Sequence, residues 1–221
     1  MKVMPTTLIC PSCGAEHVTT TVFSGNTFFG PKYYSDGSGG YLMMPKKERY
    51  KRCAECKIFF NEKSEYILLR YPKEEAHRTK PLLINELMEA VDVGLYNSTE
   101  QDMINLRIFL WREMNQLRRS MIGEGIHSQF EINQRLGDII EVDDEIYREN
   151  CYKILSSIEL EKNDKMLLIR AELWRNLGEF NKCREILNEI KQQDKFADFI
   201  TTISRECDAE NTITVCVINK N

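Results

Sequence analysis

The sequence has no apolar run near the ~20 residues that a membrane-spanning helix needs, and its mean hydropathy is -0.43. Its opening, Met1-Lys2-Val3-Met4-Pro5-Thr6-Thr7-Leu8-Ile9-Cys10, lacks the apolar core of about 7–15 residues that marks a secretory leader. Histidine is scarce. His17, His77 and His127 lie far apart in sequence, which leaves little for a hydrolytic triad. There is no H-E-x-x-H pair, no Walker loop and no G-x-S-x-G elbow. Gly37-Ser38-Gly39-Gly40 is too short for a phosphate cradle and opens no helix. Glu124-Gly125-Ile126-His127 has the spacing of a di-iron ligand pair, but such bundles need two copies on helices and this is one copy between glycines. The expectation is a non-enzymatic, cytoplasmic protein with no membrane partner.

What is present is an ordinary globular mixture. Of 221 residues, 42% are hydrophobic and 29% charged, which suits one or two domains and argues against disorder, collagen or a coiled-coil rod. Eight cysteines stand out. Four form two C-x-x-C pairs, Cys10-Pro11-Ser12-Cys13 and Cys53-Ala54-Glu55-Cys56. Two residues between cysteines let one tight turn aim both thiolates at one ion, and two such turns complete a tetrahedral four-sulfur shell. Gly14 follows the first pair, where a positive φ is useful. The expected site is therefore one structural Zn2+ held by Cys10, Cys13, Cys53 and Cys56. A shell of four thiolates leaves no position for water and is a poor candidate for metal catalysis. His17, four residues past Cys13, is a spare donor that four cysteines make unnecessary. The 39 residues between the pairs exceed the about 15–20 usual for such sites, so a segment is inserted between the knuckles. Cys151, Cys183, Cys207 and Cys216 read as structural thiols, and the absence of an export signal opposes a disulfide framework.

Charge and texture divide the chain. Residues 1–80 hold 13 Lys+Arg against 8 Asp+Glu, and residues 81–221 hold 17 against 26. The first half reads as β, with strands expected over Val18–Phe23, Ile58–Phe60 and Tyr66–Leu69. The insert carries Asp36-Gly37, a hairpin signal, and five aromatics from Phe28 to Tyr41. Ordered loops of this length are often functional, and these aromatics equally suit filling the small core that a zinc site alone does not provide. The second half reads as helices over Asn85–Tyr96, from Ser98-Thr99-Glu100-Gln101 to a stop at Gly123 and Gly125, from Asp143 to about Leu160, from Asn163 to Gly178, over Glu179–Gln192, and from Asp194 to about Asp208. Met103, Leu106, Phe109, Leu110, Met114, Leu117 and Met121 line one face of the second helix. Ile213–Ile218 is a terminal strand that could return to the ribbon sheet. The expected fold class is α+β: a small N-terminal β zinc ribbon at 1–72, a linker at 73–82, an all-α domain at 83–210 and a C-terminal strand or tail at 211–221.

Leu167, Ala171, Trp174, Gly178, Phe180, Cys183, Leu187 and Ile190 fall in the order of a tetratricopeptide repeat, a pair of antiparallel helices about 34 residues long. The segment resembles one such repeat, without the Pro expected near Lys195. An isolated helical hairpin would give the same residues, and one repeat needs stacked neighbours to bury its face. The chain also resembles a group of bacterial proteins that join a zinc-ribbon head to a helical repeat-like tail. Cys10-Pro11-Ser12-Cys13, Ser24-Gly25-Asn26-Thr27, Tyr34-Ser35-Asp36-Gly37 and Lys51-Arg52-Cys53-Ala54-Glu55-Cys56 carry that resemblance. It implies a metal site and an architecture, and no activity.

Two functional expectations follow. The first is a protein-interaction module, with a protein or peptide partner held by the helical region. The second is nucleic-acid binding by the head, using the basic rim Lys46, Lys47, Arg49, Tyr50, Lys51 and Arg52. An overall pI of about 5.6 weighs against a dedicated nucleic-acid binder.

Overall fold

The structure, a computed structural model, describes residues 2–24, 31–41, 49–121 and 143–219. The fold is mixed α+β, with three small sheets and a series of helices. It divides into two compact units. Among the described residues the first takes in 2–24 and 49–110, and the second 31–41, 111–121 and 143–219. Sequence texture places the boundary between 72 and 83. In the structure residues 84–110 group with the N-terminal strands, and the insert 31–41 groups with the C-terminal helices.

In the first unit, β1 (Lys2–Ile9) and β2 (Glu16–Ser24) run antiparallel, with Leu8 opposite His17 and Ile9 opposite Glu16. β7 (Ile67–Leu68) extends the sheet beside β1, and β8 (His77–Arg78) lies parallel to β2. A separate ladder joins β5 (Tyr50–Arg52) to β6 (Phe59–Asn61). Thr6, Thr7 and Leu8 are all fully buried. The buried hydroxyls keep partners: Thr6 Oγ1 meets Thr21 Oγ1 at 3.0 Å, and Thr7 Oγ1 donates to the Arg70 carbonyl at 3.3 Å. Helix α1 (Ile84–Val93) buries Ile84, Leu87, Ala90 and Val91 and ends at Gly94, whose φ of 87° an L side chain resists.

Helix α2 (Glu100–Met121) starts one residue later than the Ser98 signature implies. Thr99 Oγ1 accepts from the Asp102 amide and Asp102 Oδ2 accepts from the Thr99 amide, a reciprocal cap with a shorter acid at N3. Its buried side is wider than the expected stripe. Ile108 and Trp111 join Leu106, Leu110, Met114 and Leu117 inside, while Met121 is exposed. The glycine stop, and Glu124 and His127, lie outside the described residues.

In the second unit, α3 (Asp144–Ser157) is capped by Asp143 and α4 (Asp164–Asn176) by Asn163, as their polar starts predict. Gly178, at φ 80°, turns the chain into α5 (Phe180–Asn188), and α6 (Ala197–Asp208) follows a short 3-10 turn. These last three helices share one apolar cluster that includes Leu167, Ala171, Cys183, Leu187, Ile203 and Cys207. β9 (Cys216–Asn219) does return to a sheet, but its neighbour is β3 (Pro31–Tyr34) of the insert, which also pairs with β4 (Gly39–Tyr41).

The Tyr34-Ser35-Asp36-Gly37 motif is the polar heart of this second unit. Asp36 is 1% exposed, and its carboxylate accepts from the Ser38 amide at 2.8 Å, Asn115 Nδ2 at 3.1 Å and Arg119 Nη1 at 3.2 Å. The Arg119 guanidinium lies 3.9 Å from the centre of the Tyr34 ring. Ser35 Oγ donates to Glu172 at 2.6 Å and accepts from the Val215 amide at 3.1 Å. Glu172 in turn pairs with the buried Arg175 at 2.6 Å. Tyr147 Oη donates to Asn115 at 2.7 Å, and burial raises the Tyr147 phenol well above its ordinary pKa. Buried charges survive only when paired and bonded in this way.

One glycine here is irreplaceable. Gly39 has φ 133°, and an added Cβ would lie 2.1 Å from the Lys32 carbonyl oxygen. Gly39→Ala is expected to cost about 1–3 kcal/mol or more, because backbone must move. A urea-unfolding midpoint unchanged from wild type would contradict this.

Candidate metal centre

The two knuckles have the same backbone design. In the first, the Cys10 amide donates to the Ala15 carbonyl at 2.9 Å, and the Gly14 amide returns to the Cys10 carbonyl at 3.0 Å. In the second, the Cys53 amide donates to Ile58 at 2.9 Å, and the Lys57 amide to Cys53 at 3.1 Å. Gly14 (φ 74°) and Lys57 (φ 64°) occupy the same left-handed position. Hairpins hold both turns: β1–β2 frames the first and β5–β6 the second.

These turns bring the four sulfurs within 4.8 Å of one another. Cys10 Sγ is 3.7 Å from Cys56 Sγ, and Cys13 Sγ is 3.6 Å from Cys53 Sγ. Four sulfurs each about 2.3 Å from a tetrahedral zinc would sit about 3.8 Å apart, whereas a disulfide would need about 2.05 Å. The four cysteines could hold a metal ion, and their spacing is that of ligands rather than of a bridge. Among the described residues no other cluster of metal-binding side chains has such geometry. Leu8, Phe60, Ile58 and Ile67 pack beside the sulfurs, so the core adjoining the site comes from the strands around the two turns and their flanks. The insert aromatics Tyr33 and Tyr34 lie in the other unit.

Cys10 and Cys53 are buried while Cys13 is exposed and Cys56 half-buried. The thiols differ accordingly. The Ala15 amide, aimed at its sulfur, holds Cys13 down to about 7, and burial pushes Cys53 up to about 12. A bound dication deprotonates coordinating thiols outright, so the buried pair depends on the ion to become ligands. His17 does not join them. It is 1% exposed on β2, burial lowers its pKa, and its Nε2 has no hydrogen-bond partner in the structure.

The basic rim is less available than its composition implies. Tyr50 and Lys51 are 3% and 2% exposed. Tyr50 packs edge-on against Phe109 with ring centroids 5.1 Å apart, and the Lys51 ammonium faces Glu62 at 3.8 Å and Thr79 Oγ1 at 3.4 Å. Arg52 forks onto Glu89 at 3.0 and 3.2 Å and lies over Phe59. Arg49 is exposed, and Lys46 and Lys47 lie outside the described residues. Tyr50 and Lys51 are consecutive and so face opposite sides of the strand, and both sides are covered there, which a local count of lysines does not reveal.

Lys57 is the site residue that the sequence reading passes over. Its position one past the second pair, matching Gly14 after the first, is the signal that would have found it. A side chain in the left-handed region costs about 1–2 kcal/mol against glycine. Lys57→Gly is therefore expected to raise metal-loaded stability by up to about 1 kcal/mol, and Gly14→Ala to lower it by a similar amount. Melting of the two variants in opposite directions is the check. A matching fall in both would contradict the shared geometry.

Comparison with protein-family models, curated proteins and solved structures finds no match to the chain.

Proposed function

We propose that this protein is a non-enzymatic interaction module, with one structural zinc in its N-terminal unit and a protein or peptide partner bound by the helical region. The four-thiolate cluster carries the metal half of the reading. Soft thiolates favour zinc, copper(I) or iron–sulfur chemistry, and a closed tetrahedral set with no vacant position fits structural zinc best. The partner half rests on the hairpin of α4 and α5 packed with α6. Buried Ala171 and Cys183 sit where a tetratricopeptide-like pair needs small residues, and such stacks serve as adaptors. Burial of Tyr50 and Lys51 weighs against the nucleic-acid alternative, because it removes two of that rim's six contacts.

The test has two parts. Metal analysis of the purified chain is expected to give one zinc per molecule. Affinity capture at physiological salt, with and without nuclease, is expected to retain the same protein partner in both arms. Recovery only without nuclease would move the function to nucleic acid, and a chain that folds with no metal would end the zinc reading.

A further inference from the structure

Cys183 on α5 and Cys207 on α6 are both fully buried, and their sulfurs are 3.0 Å apart. That separation fits neither of the ordinary uses of a cysteine pair at rest. An ion 2.3 Å from both sulfurs would be pinched to an S–metal–S angle of about 80°, far below tetrahedral. Two thiols filling space independently would stand farther apart, since the sulfurs are already inside contact distance. The only change that relaxes them inward is a bond of about 2.05 Å.

We propose that Cys183 and Cys207 are a redox pair, oxidised by a hydroperoxide to a disulfide that clamps α5 to α6. The third buried thiol of the unit, Cys151, gives the contrast. It sits beside Tyr147, and burial alone pushes it up to about 12. Cys207 instead shares a hydrogen bond with Cys183 and lies near the Arg175 and Arg184 guanidiniums, all of which draw its pKa below the ordinary range. The same shared bond, together with burial, pushes Cys183 up. The 3.0 Å separation puts each sulfur within reach of the other whichever is oxidised first, and the route through Cys207 balances. The Cys207 thiolate attacks the terminal peroxide oxygen, the O–O bond breaks, and the alkoxide leaves as the alcohol after taking a proton. Cys183 sulfur then attacks the Cys207 sulfenic sulfur. The S–O bond breaks, and the departing hydroxide takes the Cys183 proton and leaves as water. Two thiols lose two electrons and two protons, and the peroxide is reduced to alcohol and water. Because neither sulfur is exposed, the oxidant enters through local opening of the helices, so the reaction is expected to be slow in buffer and faster at sub-denaturing urea.

The test uses the full chain loaded with zinc, which protects the knuckle thiolates, treated with excess hydrogen peroxide and then quenched. Thiols are counted in denaturant with chelator, and proteolytic peptides are mapped by mass spectrometry. The expected result is a single Cys183–Cys207 cross-linked peptide, with both thiols lost from the titration whatever the state of the exposed Cys216, and an unfolding midpoint raised until dithiothreitol is added. Cys183→Ala is expected to abolish both changes. The cross-link is read in the wild-type chain, so it decides the matter even if that variant folds poorly. Free Cys183 and Cys207 after oxidation of the exposed Cys216, or a cross-link from either to another cysteine, would overturn the proposal.

Discussion

A Cys53→Ser chain is expected to bind no zinc and to lose the sheets of the first unit, while the α3–α6 helical signal survives. Cys53 is fully buried beside Leu8 and Phe60. Serine would supply a harder, weaker ligand and leave a buried hydroxyl without a strong partner. Structural zinc contributes about 10–16 kcal/mol of apparent binding energy in small domains at neutral pH. The apolar cluster beside the sulfurs is itself small, with Leu8 and Phe60 its buried members besides the cysteines. Losing one of four ligands is therefore expected to decide whether the unit folds. Chelation should reproduce the variant's spectrum, and zinc should restore the wild type but not the mutant. Native dispersion of the β1 and β2 resonances in the metal-free mutant would refute a structural metal.

Removing the Asp36 carboxylate is the second large effect. Asp36→Ala is expected to destabilise the second unit by about 3–5 kcal/mol, because it strands the Arg119 charge in a site where both partners are at most 2% exposed. That is a large share of a typical 5–15 kcal/mol total. The diagnostic lies in the pair: Asp36→Ala with Arg119→Met should be more stable than Asp36→Ala alone, since the uncompensated charge is gone. Additive losses in urea unfolding would mean that the contact is not an ion pair at work. Asn115, which donates to the same carboxylate, should report the change as a shifted side-chain amide resonance.

The four clustered cysteines stand out in sequence because each C-x-x-C signal is local: two residues between thiols set each turn, and the meeting of the two turns is what the fold supplies. Helix starts at Asp143 and Asn163 are legible for the same reason. β1 is not. Met4-Pro5-Thr6-Thr7-Leu8 shows no alternation, because both faces are covered over Thr6, Thr7 and Leu8 and two of those buried positions are threonines, bonded to Thr21 and to the Arg70 carbonyl. The fate of the insert is also invisible locally. Asp36-Gly37 announces a turn, but the partners of Ser35 and Asp36, namely Arg119, Glu172 and Val215, are contributed by segments some 80 to 180 residues away. The burial of Tyr50 and Lys51 within the basic run is likewise not readable from sequence, because charge counts carry no information about which strand face is covered.

The β3–β9 ladder sets a timetable for synthesis. Ser35 Oγ accepts from the Val215 amide across 180 residues of chain. At roughly 5–20 residues per second of translation, the hairpin of residues 31–41 waits on the order of ten to forty seconds for its neighbour. All four clustered cysteines lie within the first 56 residues, so they can meet while the helices of the second unit are still partly inside the ribosome. A transcript broken before codon 212 would thus release helices whose polar heart has no strand to close on, a product suited to capture by chaperones or proteases.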